Sequence, residues 1–170
     1  MKPSSIPVLQ VEVQFAARSP WVPAAADLRR WARAAFAAAG GGDADVRPNT
    51  SVLCIRVVGN TAARSMNRRF RGIDRPTNVL SFPASDEERQ FTGALGDLVV
   101  CAPIVDREAR QQGKKTTAHW AHMVVHGVLH LLGYDHQDNR EAQVMENLEV
   151  EILRGFGYQN PYESTDDPTE

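Results

Sequence analysis

VLQVEVQF, residues 8–15, alternates strictly, with Leu9, Val11, Val13 and Phe15 on one face and Gln10, Glu12 and Gln14 on the other. That period of two is the pattern of a half-buried β-strand. One apolar face needs a cover, and the next periodic stretch supplies it. After Pro20 and Pro23, AAADLRRWARAAFAAAG sets Leu28, Trp31, Ala35 and Phe36 at helical spacing, and Gly40–Gly42 end the run. Ser51–Val58 (SVLCIRVV) is β-branched and almost wholly apolar, which reads as a strand covered on both faces and closed by Gly59-Asn60. Thr61–Phe70 reads as a short helix with Ala62, Met66 and Phe70 four apart on its inner side, arginines outside, and Gly72 as its stop.

Asn78–Phe82 and Leu95–Cys101 read as two further strands, joined by a polar loop, PASDEERQFTGA. Three helices follow, over Pro103–Gln112, Thr117–Leu132 and Asp138–Arg154, the last with Ala142, Met145, Leu148 and Ile152 on one face. Strands first and helices last predict an α+β fold: a single mixed sheet of about four strands packed with about five helices. The patterns do not set the strand order.

The chain has 170 residues, 42% hydrophobic and 24% charged, with 19 Lys+Arg against 21 Asp+Glu. These are globular values, and they suggest one domain over residues 1–170, with an ordered core over about 8–158 and a polar, acidic tail at 159–170. A chain this long can bury roughly 70% of its unfolded surface, so folding needs neither disulfides nor a metal. Cys54 and Cys101 sit in apolar runs, as small buried hydrophobes do in a reducing cytosol. MKPSSIPVLQ has no long apolar stretch, and no segment reaches the ~18 apolar residues of a membrane span. A cytoplasmic protein with no membrane partner is expected, and nothing requires more than a monomer.

All five histidines, at 119, 122, 126, 130 and 136, fall within eighteen consecutive residues. On a helix, spacings of four put His122, His126 and His130 on one stripe, within about 80° of each other. His126 and His130 thus offer two imidazoles to one ion, the helical half of a zinc site. His136 is the obvious third ligand, because Gly133 can end the helix with a positive φ and turn the chain back. Three histidines leave a fourth position for water, whose pKa a bound zinc lowers toward about 7. One Zn2+ per chain is expected.

Around this triad, His122 reads as a residue that packs or bonds a backbone carbonyl, or else supports a ligand from behind, and His119 as a surface or helix-start residue. Asp135 reads as a group that orients a tautomer, acts on the bound water, or stabilises the turn. Asp97, in LGDLVV, reads either as an orienting carboxylate or as an outward-facing residue of an exposed sheet face. In the H-E-x-x-H proteases the residue after the first histidine is the general base; here it is Gly127. That peptidase mechanism lacks its base.

The formal charge of −2 conceals a polarised chain. Residues 56–76 carry six arginines (56, 64, 68, 69, 71 and 75) against Asp74 alone, while residues 137–170 carry two arginines against nine acids. Guanidinium forks bind phosphates bidentately, so a basic stripe near a metal site suggests a polyanionic substrate such as nucleic acid. Arg71 stands apart from the others, in a loop next to a glycine and just before a strand, from which a side chain can reach a cleft.

MNRRFRGIDRPTNVLSFP, then LGDLVV, then HGVLHLLGYDH resemble the YbeY family, bacterial metal-dependent endoribonucleases that mature ribosomal RNA. The resemblance runs from about Val8 to Tyr162. It implies zinc on His126, His130 and His136, and a phosphate role for Arg71. It also implies single-strand-specific cleavage of RNA, maturation of the 3′ end of small-subunit ribosomal RNA, and a part in ribosome quality control beside the small subunit and its factors. Met66, Phe70 and Ile73 depart from the usual Leu, Tyr and Lys, and Ile73 removes one positive charge. The mechanism expected is that zinc activates water or polarises a phosphate oxygen while Arg71 stabilises charge on the transition state. Two other readings stand beside it: a zinc hydrolase of another substrate class, and a non-catalytic ribosome-binding module with structural zinc.

Overall fold

A computed structural model describes residues 7–18, 22–40 and 50–163. Pro20, the Gly41-Gly42 stop and the tail from 164 onward lie outside the described residues. The elements run β1 (Val8–Phe15), α1 (Ala25–Ala38), β2 (Thr50–Val58), α2 (Asn60–Arg71), β3 (Val79–Pro83), α3 (Asp86–Thr92), β4 (Ala94–Cys101), α4 (Ala102–Gln111), α5 (Thr116–Leu131) and α6 (Asn139–Gly155). The fold is the mixed α+β type expected, with one four-stranded sheet in the order β1-β2-β4-β3. The pairs β1-β2 and β2-β4 are parallel and β3-β4 is antiparallel.

The alternation of β1 holds: Leu9 and Val11 are buried, Val13 and Phe15 pack half-buried against the core, and the polar face is exposed. They join Leu53, Ile55 and Val57 of β2, Leu98 and Val100 of β4, and the apolar stripe Leu28, Trp31, Ala35 and Phe36 of α1. α5 lies in the same layer, buried along most of its length. On the outer edge of β1, Arg29 and Arg33 of α1 donate from Nε to the carbonyls of Val11 (3.0 Å) and Leu9 (3.1 Å).

The other sheet face is only partly covered, and this corrects the reading of β2. Val58 is buried under α2 with Val99, Cys101, Leu80 and Ala63, but Cys54 is half-buried and Arg56 exposed. A twelve-residue helix spans about 18 Å and roofs only one end of the sheet. Phe70, expected on the inner side of α2, is 59% exposed. It meets the edge strand β3 through Phe82, ring edge to ring face, with centroids 5.0 Å apart.

A sixth helix, α3, occupies part of the segment read as a polar loop. Its cap explains it: Ser85 Oγ accepts from the Glu88 backbone N–H while the Glu88 carboxylate accepts from the Ser85 N–H. Such a reciprocal box satisfies two orphan donors without any buried side chain, so no hydrophobic period marks the helix. Gly96 puts an irregularity into the β2-β4 register with φ 142°. A Cβ there would stand 2.4 Å from the Phe82 carbonyl oxygen, which only glycine avoids.

Candidate metal centre

Four of the five histidines ride on α5, at positions 119, 122, 126 and 130. The helix lies flat on the sheet because of Gly127, whose missing Cβ would come 2.2 Å from Leu98 Cδ1. The residue after the first histidine therefore has no room for a side chain. This is the physical reason a glycine occupies it, and it leaves no base of the peptidase type at that position.

The helix ends in a Schellman arrangement. Gly133 (φ 98°) donates to the His130 carbonyl at 3.0 Å, and Tyr134 to the Leu129 carbonyl at 3.0 Å. That reversal carries the chain back over its own last turn, and it brings His136 beside His126 and His130, with ring centroids 5.8 and 5.0 Å away. The expected return of the chain at Gly133 is realised. Nitrogen atoms of His126, His130 and His136 all lie within 4.8 Å of one another.

The buried group behind them is one the sequence reading did not single out. Glu149 of α6 is fully buried, and its Oε1 lies 2.5 Å from His126 Nδ1. A carboxylate only accepts, so the proton sits on Nδ1 and His126 Nε2 presents its lone pair. That Nε2 is 3.1 Å from His130 Nε2. Two imidazole nitrogens face each other this closely when a cation or proton lies between them, and tetrahedral zinc would set them about 3.3 Å apart. The donor set therefore fits a metal ion. Among the described residues no further His, Cys, Asp or Glu joins the triad, and the exposed His136 leaves it open to solvent.

Glu149 Oε2 takes His122 Nε2 at 3.0 Å and the hydroxyl of Tyr162. Burial alone raises the Glu149 carboxyl, but the hydrogen bonds from His122, His126 and Tyr162 outweigh it and carry the group down to about 2. The same contact, added to burial, pushes the Tyr162 phenol up. Burial holds His122 below its usual range against the pull of Glu149, and His130 is lowered by burial and then by the neighbouring His126 and His136. The lowered His130 keeps its lone pair available for an ion.

Two expectations need correcting. His122 bonds no carbonyl; it supports the carboxylate that orients His126. His119 is not a surface residue: it is 3% exposed and its Nε2 lies 3.2 Å from Glu108 Oε2. Glu149 carried a legible signal, being an acid on the apolar stripe of α6 between Met145 and Ile152. Tyr162 carried none, since it belongs to the segment read as tail. Its described residues, 159–163, fold back, and Lys114 Nζ donates to the Pro161 carbonyl at 2.7 Å.

Of the other candidates, Asp135 borders the triad and Asp97 and Arg71 lie on the opposite face of the sheet. Asp135 accepts from the His136 backbone N–H at 2.7 Å and lies 3.9 Å from its ring Nδ1, so it holds the turn that carries His136. Asp97 is exposed on the sheet face opposite α5, between the inward Leu95 and Leu98. Arg71, read as a loop residue, is instead the last residue of α2, which packs on that same opposite face, and it is exposed with no hydrogen bond or ion pair among the described residues. Asp74 is unavailable to it, because Arg64 holds that carboxylate through Nε (2.9 Å) and Nη2 (3.0 Å).

Fold and site define an α+β protein with an open three-histidine centre suited to a metal ion. A family model described as Endoribonuclease YbeY matches residues 19–157, and the chain belongs to that family. Proteins named Endoribonuclease YbeY are similar to it: that of Alkalilimnicola ehrlichii is 50% identical over 159 residues, covering 92% of both chains. That of Methylococcus capsulatus is 50% identical over 141 residues, covering 83% of this chain and 87% of the relative. That of Stenotrophomonas maltophilia is 48% identical over 158 residues, covering 91% and 93%. The fold is also that of a Thermotoga maritima protein solved in solution, with a TM-score of 0.57, 23% identity, and coverage of 95% of this chain and 100% of the other. Among the described residues no helix is long and apolar enough to cross a membrane.

Proposed function

We propose that the chain is a zinc-dependent endoribonuclease, with one ion per chain on His126, His130 and His136. Its substrate is single-stranded RNA, and its role is maturation of the 3′ end of small-subunit ribosomal RNA and ribosome quality control, in the cytoplasm, as a monomer working beside the small subunit and its factors. The observation that carries the chemistry is the convergence of three imidazoles, one with its tautomer set by the buried Glu149. The relatives' printed name carries the substrate.

When bound, zinc supplies Lewis acidity, lowering the pKa of a coordinated water and polarising a phosphate oxygen. The chain's own part is to hold three imidazoles in place. Glu149 fixes the proton of His126 at Nδ1, and Asp135 holds the turn that carries His136. Arg71 engages an RNA phosphate, for which its exposed guanidinium, without an ion pair among the described residues, is suited. Asp97, away from the triad, takes no part in the bond-breaking step.

The rival readings fit less well. Gly127 has neither a carboxylate nor room for one, against a peptidase of the H-E-x-x-H type. A structural zinc takes four protein ligands, against three among the described residues.

Zinc-loaded protein should cut short single-stranded RNA; His130→Ala should lower cleavage by at least about a hundredfold and Arg71→Glu by about tenfold through weaker RNA binding, both with circular dichroism unchanged. Chelated protein that cuts as fast as the loaded enzyme refutes the zinc assignment. Arg71→Glu with unaltered cleavage refutes the phosphate role.

A further inference from the structure

Phe70 is the large apolar side chain that α2 leaves in solvent, 59% exposed, with one flank against Phe82. The Arg69 guanidinium carbon lies 5.4 Å from its ring centroid, and Arg71 follows one residue on. Neither arginine forms an ion pair among the described residues, and the nearest acid in sequence, Asp74, is taken up by Arg64. An exposed aromatic ring resting on the half-buried Phe82, beside guanidinium groups with no ion pair among the described residues, is not a folding device. It offers a π-face and two phosphate forks, the combination on which unpaired nucleotides bind.

We infer that Phe70 and Phe82 form a stacking platform for an unpaired RNA base, with Arg69 and Arg71 on the flanking phosphates. The opposite end fixes the orientation. Asp97 pairs in register with Phe82 across the β3-β4 ladder and is exposed. A phosphate is repelled there, so the backbone runs on the arginine side and the base points toward the sheet. Duplex RNA cannot offer a base to this platform without unpairing it. The preference for single strands thus has a physical source outside the metal site, which β3, with α5 packed on its other face, separates from Phe70.

Such a platform presupposes that the chain acts on RNA, as proposed above, and its test separates the two ideas. Phe70 is exposed, so its variants keep the fold. In the zinc-loaded enzyme, Phe70→Leu should raise KM for a short unstructured RNA about tenfold, leave kcat within about twofold, and be restored by Phe70→Tyr. Phe70→Trp should gain an emission that single-stranded RNA quenches and the matching duplex does not. Phe70→Leu with wild-type KM, or with a fall confined to kcat, overturns the platform while RNA cleavage by the wild type leaves the endoribonuclease reading standing. A wild type that cuts no RNA, with Phe70→Trp unquenched, overturns both.

Discussion

Glu149 shows how one residue sets the chemistry of another. Fully buried yet held ionised, it costs stability unless each oxygen finds donors, and it has three: His126, His122 and Tyr162. Its effect on function is to choose which nitrogen of His126 is free. Glu149→Gln keeps the shape but loses the charge, and an amide nitrogen then faces either a ring N–H or a phenol. Metal affinity should fall about 10–100-fold, as carboxylate partners of metal-bound histidines generally do when removed. Titration of the metal-free protein against a zinc-chelating dye measures it, and an unchanged Kd would make Glu149 merely structural. At this scale the three clustered histidines were legible from spacing and a glycine. Behind them Glu149 left only an acid on an apolar stripe as its mark, 23 residues from His126, and Tyr162, which bonds Glu149, comes from a segment without periodicity.

Among the elements, α5 carries the most constraint. Its outer side holds the histidines and its inner side lies on β4 and β3, where Ser81 Oγ of β3 donates to the Gly127 carbonyl at 3.3 Å. Both faces are thus committed along one turn. Gly127→Ala forces a methyl group toward fully buried Leu98 and should destabilise the protein by about 1–3 kcal/mol in urea titrations. Because the helix must then lift from the sheet, zinc affinity should fall with it; a variant of wild-type stability would show that Leu98 yields freely. Helices and strands with a hydrophobic period were readable to within a residue or two, as for α1, α5 and α6. α3 escaped because a capping box, not an apolar stripe, makes it. The half-bare face of β2 was misread because an apolar run does not tell how far the covering helix extends; Arg56 was the hint.

Over the whole molecule, an ion on the three histidines would join the turn after α5, the helix itself, and through Glu149 and Tyr162 the last helix and the described closing residues. Loading at a hundredfold excess over Kd should add about 2.7 kcal/mol, or about 5–10 °C in Tm by scanning calorimetry. His130→Ala should erase the increment, and equal Tm values with and without chelator would mean that the folded chain does not hold the ion. The charge split seen in the sequence has a spatial meaning as well. The arginines of α2 lie on one face of the sheet and the acids of α6 belong to the layer on the other, so near-neutrality hides a dipolar surface. Strand order stayed beyond reach, since inserting β4 between β2 and β3 is decided by contacts across the chain rather than by any local pattern.

The two guanidinium groups that cap the carbonyls of Leu9 and Val11 bear on life in a crowded cell. An unpaired β edge is a template on which a foreign strand can grow, and β1 is long and apolar on alternate positions. With Arg29 and Arg33 spaced one helical turn apart, α1 both covers the core and occupies that template. The same helix that buries the first strand keeps it from seeding a fibril.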